Sequence, residues 1–135
     1  MTIAWTPNLT VHESTIDAQH KQLLAEIQVL LETILAGQGK EQISSILNFL
    51  SNYIAQHFFY EENYMQEHSY PGLETHKAIH ERFNLKYEEF KLELLREGET
   101  EALALKIENF LGKWWIEHIT YEDHKYDEYI STHQA

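Results

Sequence analysis

The chain has no cysteine, and only two prolines and five glycines occur among its 135 residues. Without cysteine there can be no disulfide bond, no cysteine-held iron–sulfur cluster and no thiolate zinc site. The scarcity of helix-breaking residues favours long, uninterrupted helices. The length suits one continuous core, so we expect a single domain over residues 1–135.

Positive charge is also scarce. The 10 lysines and arginines are outnumbered by 22 aspartates and glutamates, which gives a formal net charge of -12. This charge repels nucleic acid and anionic lipid surfaces, so we expect neither as a partner. No apolar run is long enough to cross a membrane, and the first residues show no signal-peptide pattern. Together these absences favour a cytoplasmic protein.

Apolar residues recur at helical spacing along four stretches. The pattern predicts helices over residues 17–37, 40–67, 73–96 and 100–120, and a shorter helical segment over residues 121–130. Asp17 is the expected N-cap of the first helix, and residues 69–72 form the expected turn before the third. These features predict an all-α, up-down-up-down four-helix bundle over residues 17–130, with residues 1–16 as an N-terminal arm.

Polar side chains share a face with apolar ones on every predicted helix, because residues three or four apart stack on one side. The four stripes are His20, Leu24, Ile27 and Leu31; Leu50, Ile54, His57, Glu61 and Met65; His76, His80, Phe83, Tyr87 and Phe90; and Leu103, Ile107, Phe110, Trp114 and His118. All four helices are therefore expected to direct imidazole or carboxylate groups into one apolar core.

Five histidines and a carboxylate in one core are costly unless they are neutralised. Bound cations would satisfy all of them at once, and a donor set without sulfur suits iron, manganese, zinc or copper. Five histidines exceed the needs of one tetrahedral zinc, which favours two six-coordinate ions bridged by carboxylates. Ferritin-like bundles use Glu-x-x-His pairs. No histidine of this chain has a glutamate three residues before it, which weakens that alternative.

Several residue runs match one known pattern in order. They are residues 16–21, 57–62 and 70–83, with Trp5, Met65, Trp114, His118, Ile119 and Asp123. In these runs the chain resembles the hemerythrin family, in particular its single-domain bacterial form. The resemblance implies a non-haem centre of two iron ions with an oxo or hydroxo bridge. It also implies an oxygen-binding protein rather than an enzyme, with dioxygen bound reversibly for transport, storage or buffering.

The resemblance further implies a role for each ligand. His76, His80 and His118 would hold one iron, His20 and His57 the other, and Glu61 and Asp123 would bridge both. Helix geometry alone favours Glu122, four residues after His118, whereas Asp123 requires the helix to tighten or break there. Two histidines against three would leave one iron with an open position, where dioxygen would bind.

Apolar side chains beside the ligands would form the wall of the oxygen pocket and exclude water. They are Phe58, Trp114, Trp115 and Ile119. Trp115 stands where the family usually has leucine, so its ring either narrows or shields the pocket or turns into helix packing. His12 stands where the family usually has glycine. We expect the remaining histidines to lie on the surface without a chemical role: His12, His68, His124 and His133.

Other functions stay open beside oxygen binding. A di-iron enzyme acting on peroxide or nitric oxide is one, although no acid–base pair beyond the ligands is evident near the open position. An oxygen or iron sensor is another. It would need an output through a separate protein partner, because the chain has no room for a second domain. A purely structural bundle without metal is the last alternative.

Overall fold

The architecture is helical. The computed structural model describes residues 3–37, 40–97 and 105–133. Its long helices are α1 (Ser14–Leu35), α2 (Lys40–Glu67) and α3 (Leu73–Glu97). A fourth helical stretch over residues 105–132 contains a π-helical segment (Ile107–Gly112), α4 (Lys113–Glu117), a second π-helical segment (His118–Asp123) and α5 (His124–Thr132). These ranges contain no strand, and the predicted all-α bundle is confirmed.

The start of α1 differs from the prediction. The helix begins at Ser14, and its N-cap is Glu13 rather than Asp17. The Glu13 carboxylate accepts hydrogen bonds from the backbone N–H groups of Thr15 and Ile16, at 3.1 and 3.0 Å. Two otherwise unpaired donors at the helix start are satisfied in this way. Glutamate is not among the usual N-cap residues, so the sequence pattern did not indicate Glu13.

The N-terminal arm, residues 3–13, is held to the bundle by polar and apolar contacts. Asp17 accepts hydrogen bonds from the N–H of Val11, at 2.9 Å, and from the hydroxyl of Thr10. At the other end of the arm, the Ile3 side chain packs against the backbone of Gly112. A Cβ at that glycine would stand 2.7 Å from Ile3 Cδ1, so the close approach needs a residue without a side chain.

The other helix limits lie near their predicted positions. α2 covers the predicted range, and α3 ends one residue later than expected. α1 ends at Leu35, and Gly37 follows with a φ of 65°, the left-handed conformation that commonly terminates helices. The predicted start of the fourth helix at residue 100 lies outside the described residues. None of the described helices is both long enough and apolar enough to cross a membrane.

The fourth stretch matches the predicted inward face only in part. Leu111 and His118 are buried as expected, but Phe110 and Trp114 are only half-buried, and Trp115 is fully buried instead. A π-helical turn contains more residues than an α-helical turn, so the inward face shifts along the sequence. The chain also stays helical through residue 121, where a break was expected. Leu103 and the side chain of Ile107 lie outside what the structure describes.

Two apolar clusters fill the bundle. The main core draws on all four helical stretches and includes Leu24, Leu50, Phe58, Phe83 and Trp115. The second cluster, here called the tyrosine cluster, lies around the start of α1, the end of α2 and α5. It contains Val11, Ile16, Met65, Tyr126 and Ile130, with Tyr64, Tyr70, Leu73 and Tyr129 packed against them. Along α2, Glu61 lies between Phe58 of the main core and Met65 of the tyrosine cluster.

Candidate metal centre

The structure brings all seven predicted ligands together in the interior. Each is at most 5% exposed. α1 contributes His20, α2 contributes His57 and Glu61, α3 contributes His76 and His80, and the second π-helical segment contributes His118 and Asp123. Ligand atoms of Glu61, His76, His80 and His118 lie within 4.8 Å of one another, and so do those of His20, His57 and Glu61. The histidines thus form a group of two and a group of three.

Glu61 faces both groups with different oxygens. Its Oε2 lies 3.3 Å from His57 Nε2 and 3.6 Å from His20 Nε2. Its Oε1 lies 3.1 Å from His76 Nε2 and 3.2 Å from His80 Nε2. A carboxylate placed in this way can donate one oxygen to each of two neighbouring cations.

Asp123 is arranged similarly. Its Oδ2 lies 3.2 Å from His20 Nε2, and its Oδ1 lies 3.1 Å from both His76 Nε2 and His118 Nε2. The π-helical segment explains how Asp123, five residues after His118, reaches the same face. Here the N–H of His124 donates to the carbonyl of Ile119, five residues earlier.

The helix therefore widens at this point, and neither tightens nor breaks as expected. Glu122, which ordinary helix geometry favoured, is only half-buried. Its carboxylate accepts hydrogen bonds from Lys125 Nζ, at 3.2 and 3.3 Å, on the outside of the stretch.

The polar groups of the centre are poorly satisfied by one another. Both Asp123 oxygens are buried close to imidazole nitrogens, yet neither accepts a hydrogen bond of acceptable geometry within the described structure. The Nε2 atoms of His20 and His57 lie 3.1 Å apart, and those of His80 and His118 lie 3.3 Å apart. Converging nitrogen and oxygen donors without sulfur suit cations of the iron or manganese type, so the residues fit the metal that was inferred.

Three further residues support the centre, and the sequence pattern assigned them no role. His57 Nδ1 donates to Gln19 Oε1 at 2.7 Å, and His80 Nδ1 donates to Glu62 Oε2 at 2.8 Å. Each bond leaves the Nε2 lone pair of its imidazole free to face the centre. Tyr126 is fully buried, and its hydroxyl donates to Glu61 Oε2 at 3.1 Å. Only Tyr126 had a sequence signal, since it lies three residues after Asp123 on a helical face.

The charge state of the centre follows from these contacts. Burial disfavours a charged His20, but Asp123 and Glu61 raise the pKa of its imidazole to about 9. Burial likewise disfavours a charged His76, but Asp123 and Glu61 raise the pKa of its imidazole to about 10. Burial also opposes ionisation of Glu61, yet His57 and the neighbouring imidazoles hold the pKa of its carboxyl well below the usual range. The two carboxylates thus draw positive charge into the interior.

Aromatic side chains cover the group of three histidines. Phe58 stacks on His80 with ring centroids 3.7 Å apart and an interplanar angle of 10°. Trp114 stacks on His118 with ring centroids 4.5 Å apart, also at 10°. These faces of the imidazoles are therefore shielded by apolar rings. Ile119, which was expected beside them, is fully buried in the main core.

Trp115 lies beside the group of two. Its ring centroid is 5.8 Å from that of His57 and 6.5 Å from that of His20. It also stacks against Phe58 at 5.5 Å and is fully buried. The ring therefore packs within the main core and also lies beside the two histidines. That it narrows or shields an oxygen pocket stays a prediction.

The histidines outside the centre behave mostly as expected. His12, His68 and His133 are exposed. His124 was expected on the surface but is half-buried, because its Nε2 donates to the carbonyl of Thr10 at 3.0 Å and ties α5 to the N-terminal arm. His12 has a φ of 58°, in the left-handed region. That conformation suits glycine best, the residue that the family resemblance leads one to expect at this position.

A helical bundle with five imidazoles and two carboxylates converging in its interior defines a protein with a buried cation site. The comparisons with known proteins agree. A family model for the hemerythrin HHE cation binding domain matches residues 12–130, and the chain belongs to this family.

Relatives with curated names cover most of the chain. A bacteriohemerythrin of Pseudomonas paraeruginosa is 32% identical over 126 residues, covering 92% of this chain and 78% of the relative. A bacteriohemerythrin of Stenotrophomonas maltophilia is 25% identical over 97% of this chain and 83% of the relative. A hemerythrin of Sipunculus nudus is 28% identical over 90% of this chain and 88% of the relative. The chain is thus similar to bacterial hemerythrins along nearly its whole length.

Proposed function

We propose that this chain binds two iron ions and, with them, binds dioxygen reversibly. In this proposal His20 and His57 would hold one iron, and His76, His80 and His118 would hold the other. Glu61 and Asp123 would supply a carboxylate oxygen to each. The names of its relatives and its membership of a cation-binding family support an oxygen carrier, store or buffer.

One observation carries the proposal. Each carboxylate presents one oxygen to the group of two histidines and the other oxygen to the group of three. A single cation would require only one side of each carboxylate. The division of both Glu61 and Asp123 between two histidine groups favours a pair of ions that share them.

The two groups also differ in donor number. The group of two offers one nitrogen fewer, so we propose that dioxygen enters on the side of His20 and His57. Iron bound by these side chains supplies the electrons for reversible dioxygen binding. Gln19 and Glu62 fix the imidazoles that they contact, which keeps the donor atoms in place.

The aromatic wall excludes water from the same space. Phe58 and Trp115 are at most 4% exposed, and they separate the histidines from solvent on the main-core side. A dry site favours reversible binding because water and stray protons promote loss of reduced oxygen.

Proton donors are scarce around the centre. Among the described residues, Glu62 and Tyr126 are the acidic or basic side chains that make a hydrogen bond or ion pair to the seven ligands, apart from the ligands themselves. This scarcity of proton donors favours binding over turnover.

The test is iron quantification joined to an oxygen titration. The full chain is loaded with ferrous iron under anaerobic conditions, its bound iron is counted, and ultraviolet–visible spectra are recorded as dioxygen is added and removed. We expect two irons per chain and a new absorption band that disappears when oxygen is removed. Rapid, irreversible conversion to the oxidised form would contradict reversible binding, and protein that retains no iron would contradict the centre itself.

Matched histidine variants make the assay specific. His57→Ala removes a nitrogen from the centre, whereas His68→Ala removes an exposed imidazole eleven residues along the same chain segment. We expect His57→Ala to lose the reversible band and His68→Ala to keep it. Steady consumption of hydrogen peroxide or nitric oxide by the iron-loaded protein would favour the enzymatic alternative instead.

A further inference from the structure

Half of the tyrosines of the chain gather at one end of the centre. Of the 8 tyrosines, the tyrosine cluster contains Tyr64, Tyr70, Tyr126 and Tyr129. Simple apolar packing does not require tyrosine at these positions, because phenylalanine would fill similar space without a hydroxyl. Apart from the contact of Tyr126 with Glu61, the cluster plays no part in the proposed oxygen binding, so its composition calls for a separate explanation.

Tyr126 connects the cluster to the centre. Its hydroxyl donates to Glu61 Oε2 at 3.1 Å, and its ring centroid lies 5.7 Å from that of His76. The residue is fully buried, so it has no direct contact with solvent. Among the four tyrosines, Tyr126 is the one whose hydroxyl is hydrogen-bonded to a candidate ligand.

Two branches lead from Tyr126 to the surface. In the first, ring centroids are 6.4 Å apart between Tyr126 and Tyr70, 5.6 Å apart between Tyr70 and Tyr129, and 4.0 Å apart between Tyr129 and His133. His133 is exposed. Each step is between neighbouring rings, so the branch spans the distance from the centre to solvent without a gap.

The second branch is shorter. Ring centroids are 6.0 Å apart between Tyr126 and Tyr64, and 4.6 Å apart between Tyr64 and the exposed His68. Tyr64 and Tyr70 are both half-buried, intermediate between Tyr126 and the exposed imidazoles. Both branches therefore pass from a buried phenol through half-buried ones to the surface.

The position of Tyr70 depends on a glycine. A Cβ at Gly72 would stand 2.8 Å from atoms of the Tyr70 ring, so only glycine allows this ring to lie where it does. Ser69, just before the ring, has a φ of 53°, a conformation that non-glycine residues seldom adopt. The turn between α2 and α3 is thus shaped to hold Tyr70 against the cluster.

We propose that these tyrosines conduct oxidising equivalents from the centre to the protein surface when a peroxide reacts at the centre. This inference rests on the proposed function, because iron at the centre is what activates the peroxide. The tyrosines protect the candidate ligands, since an oxidising equivalent that leaves along the branches does not attack the histidines or Trp115.

The reaction balances in electrons and protons. Reduction of one hydrogen peroxide to two waters consumes two electrons and two protons. When the iron is already oxidised, two tyrosines supply them by losing one electron and one phenolic proton each. The proton of Tyr126 passes to Glu61 Oε2, the acceptor of its hydrogen bond, and leaves with the water formed. The second, half-buried tyrosine releases its proton to solvent, and solvent supplies the second proton of the two waters. A one-electron reductant such as ascorbate, with its proton, restores each tyrosine at the surface.

Peroxide treatment of the iron-loaded, oxidised full chain tests the route. Radicals are detected by rapid-freeze electron paramagnetic resonance, and oxidised side chains are located by peptide mass spectrometry. We expect a tyrosyl radical and oxidation at Tyr129 and His133 on one branch and at Tyr64 and His68 on the other. Ascorbate added before the peroxide should suppress both.

Single variants should redirect the damage. We expect Tyr70→Phe to lose oxidation at Tyr129 and His133 while the other branch keeps it, and Tyr64→Phe to do the reverse. The double variant should lose oxidation on both branches and gain it at Trp115 and the histidines of the centre. Tyr87→Phe is the matched control, since Tyr87 is buried in the main core, and it should behave as the unchanged protein does.

An unaltered oxidation map in the double variant would overturn the inference, as would the same map in iron-free protein. A photochemical experiment separates this outcome from failure of the iron site. Because the chain has no cysteine, His133→Cys provides one attachment point for a ruthenium photosensitiser. In iron-free protein we expect flash oxidation to modify Tyr126, and adding Tyr70→Phe to remove that modification. If Tyr126 is modified equally with and without Tyr70→Phe, the first branch does not conduct.

Discussion

The two histidine groups of the centre have different surroundings. Two imidazoles of the group of three carry a stacked aromatic ring each, Phe58 on His80 and Trp114 on His118. In the group of two, the nearest indole ring, that of Trp115, lies at a tilt and farther away. The difference supports the proposal that the added ligand binds on the side of His20 and His57, where no aromatic ring of the described residues is stacked on an imidazole.

Two buried ring nitrogens near the centre have no hydrogen-bond partner among the described residues. They are His20 Nδ1 and Trp115 Nε1. An unsatisfied buried donor costs about 1–3 kcal/mol, so it is seldom retained without a reason. Both of these nitrogens belong to residues on the side of the group of two. The Nδ1 atoms of His57 and His80, one in each group, do have partners, Gln19 and Glu62.

The largest expected effect comes from removing the charge of a carboxylate that faces both histidine groups. Asp123→Asn keeps the shape of the side chain but removes the negative charge that faces both groups. We expect it to abolish binding of the iron pair, measured as iron retained per chain after gel filtration. Glu122→Gln is the matched control, since that carboxylate contacts Lys125 outside the centre, and it should retain full iron. Equal iron in both variants would rule out Asp123 as a ligand.

Outer partners allow each group to be weakened separately. Glu62→Gln removes the charged acceptor of His80, and Gln19→Leu removes the acceptor of His57. We expect each to weaken iron binding about 10- to 100-fold, because such partners orient the ligand and raise its basicity. Competition with a chelator measures the affinity. Glu81→Gln and Gln22→Leu, at exposed positions of α3 and α1, should leave it unchanged.

Ligand access on the two sides of the centre can be compared by replacing two neighbouring tryptophans, one beside each histidine group. Trp115→Leu should enlarge the space beside His20 and His57 and speed binding of dioxygen or azide to the iron-loaded protein. It should also destabilise the core, by less than the ~3–5 kcal/mol typical of tryptophan to alanine. Trp114→Leu, beside His118, should change the binding rate less. Stopped-flow traces in which Trp114→Leu has the larger effect would reverse the assignment of the open side.

The smallest expected effect lies away from the centre, at Tyr87. Burial raises the pKa of the Tyr87 phenol. Its hydroxyl donates to the carbonyl of Leu47 at 3.0 Å, so Tyr87→Phe should lower the free energy of unfolding by about 1 kcal/mol at neutral pH. The raised pKa favours the neutral phenol in the folded state. The contribution of the neutral phenol to the free energy of unfolding is complete below a pH of about 10, the pKa of an unfolded tyrosine. It is lost as the pH rises towards the higher pKa that Tyr87 has in the folded protein.

The difference between the unchanged protein and Tyr87→Phe should therefore shrink above a pH of about 10. Urea unfolding of both proteins in the same iron state, at neutral and alkaline pH, measures it. A difference that stays constant to strongly alkaline pH would mean that the phenol titrates normally in the folded protein.

Regular helices were predictable because their apolar spacing repeats every three and four residues. α2 and α3 were predicted within one residue at each end, and the inward histidines of α1, α2 and α3 follow from the same spacing. The fourth stretch was predicted only in part, with Leu111 and His118 inward as expected, since its π-helical turns break that repeat without any distinctive residue type. Trp115 and Asp123 therefore face inward against the expected phase, and Asp123 was inferred only through the family resemblance.

Supporting residues were harder to predict than ligands. Gln19 and Glu62 each stand next to a ligand in sequence, at positions that look like ordinary solvated surface. Their roles depend on where a neighbouring helix places an imidazole Nδ1 atom, which no local pattern encodes. The single-domain organisation, the cytoplasmic location and the role of the aromatic wall stay predictions.

A crystal structure of the iron-loaded protein, with anomalous scattering recorded at the iron edge, tests the central claim most directly. We predict two peaks, one beside the Nε2 atoms of His20 and His57 and one beside those of His76, His80 and His118. Glu61 and Asp123 should each present an oxygen to both peaks. One peak only, or two peaks with either carboxylate turned away from the space between them, would contradict the account.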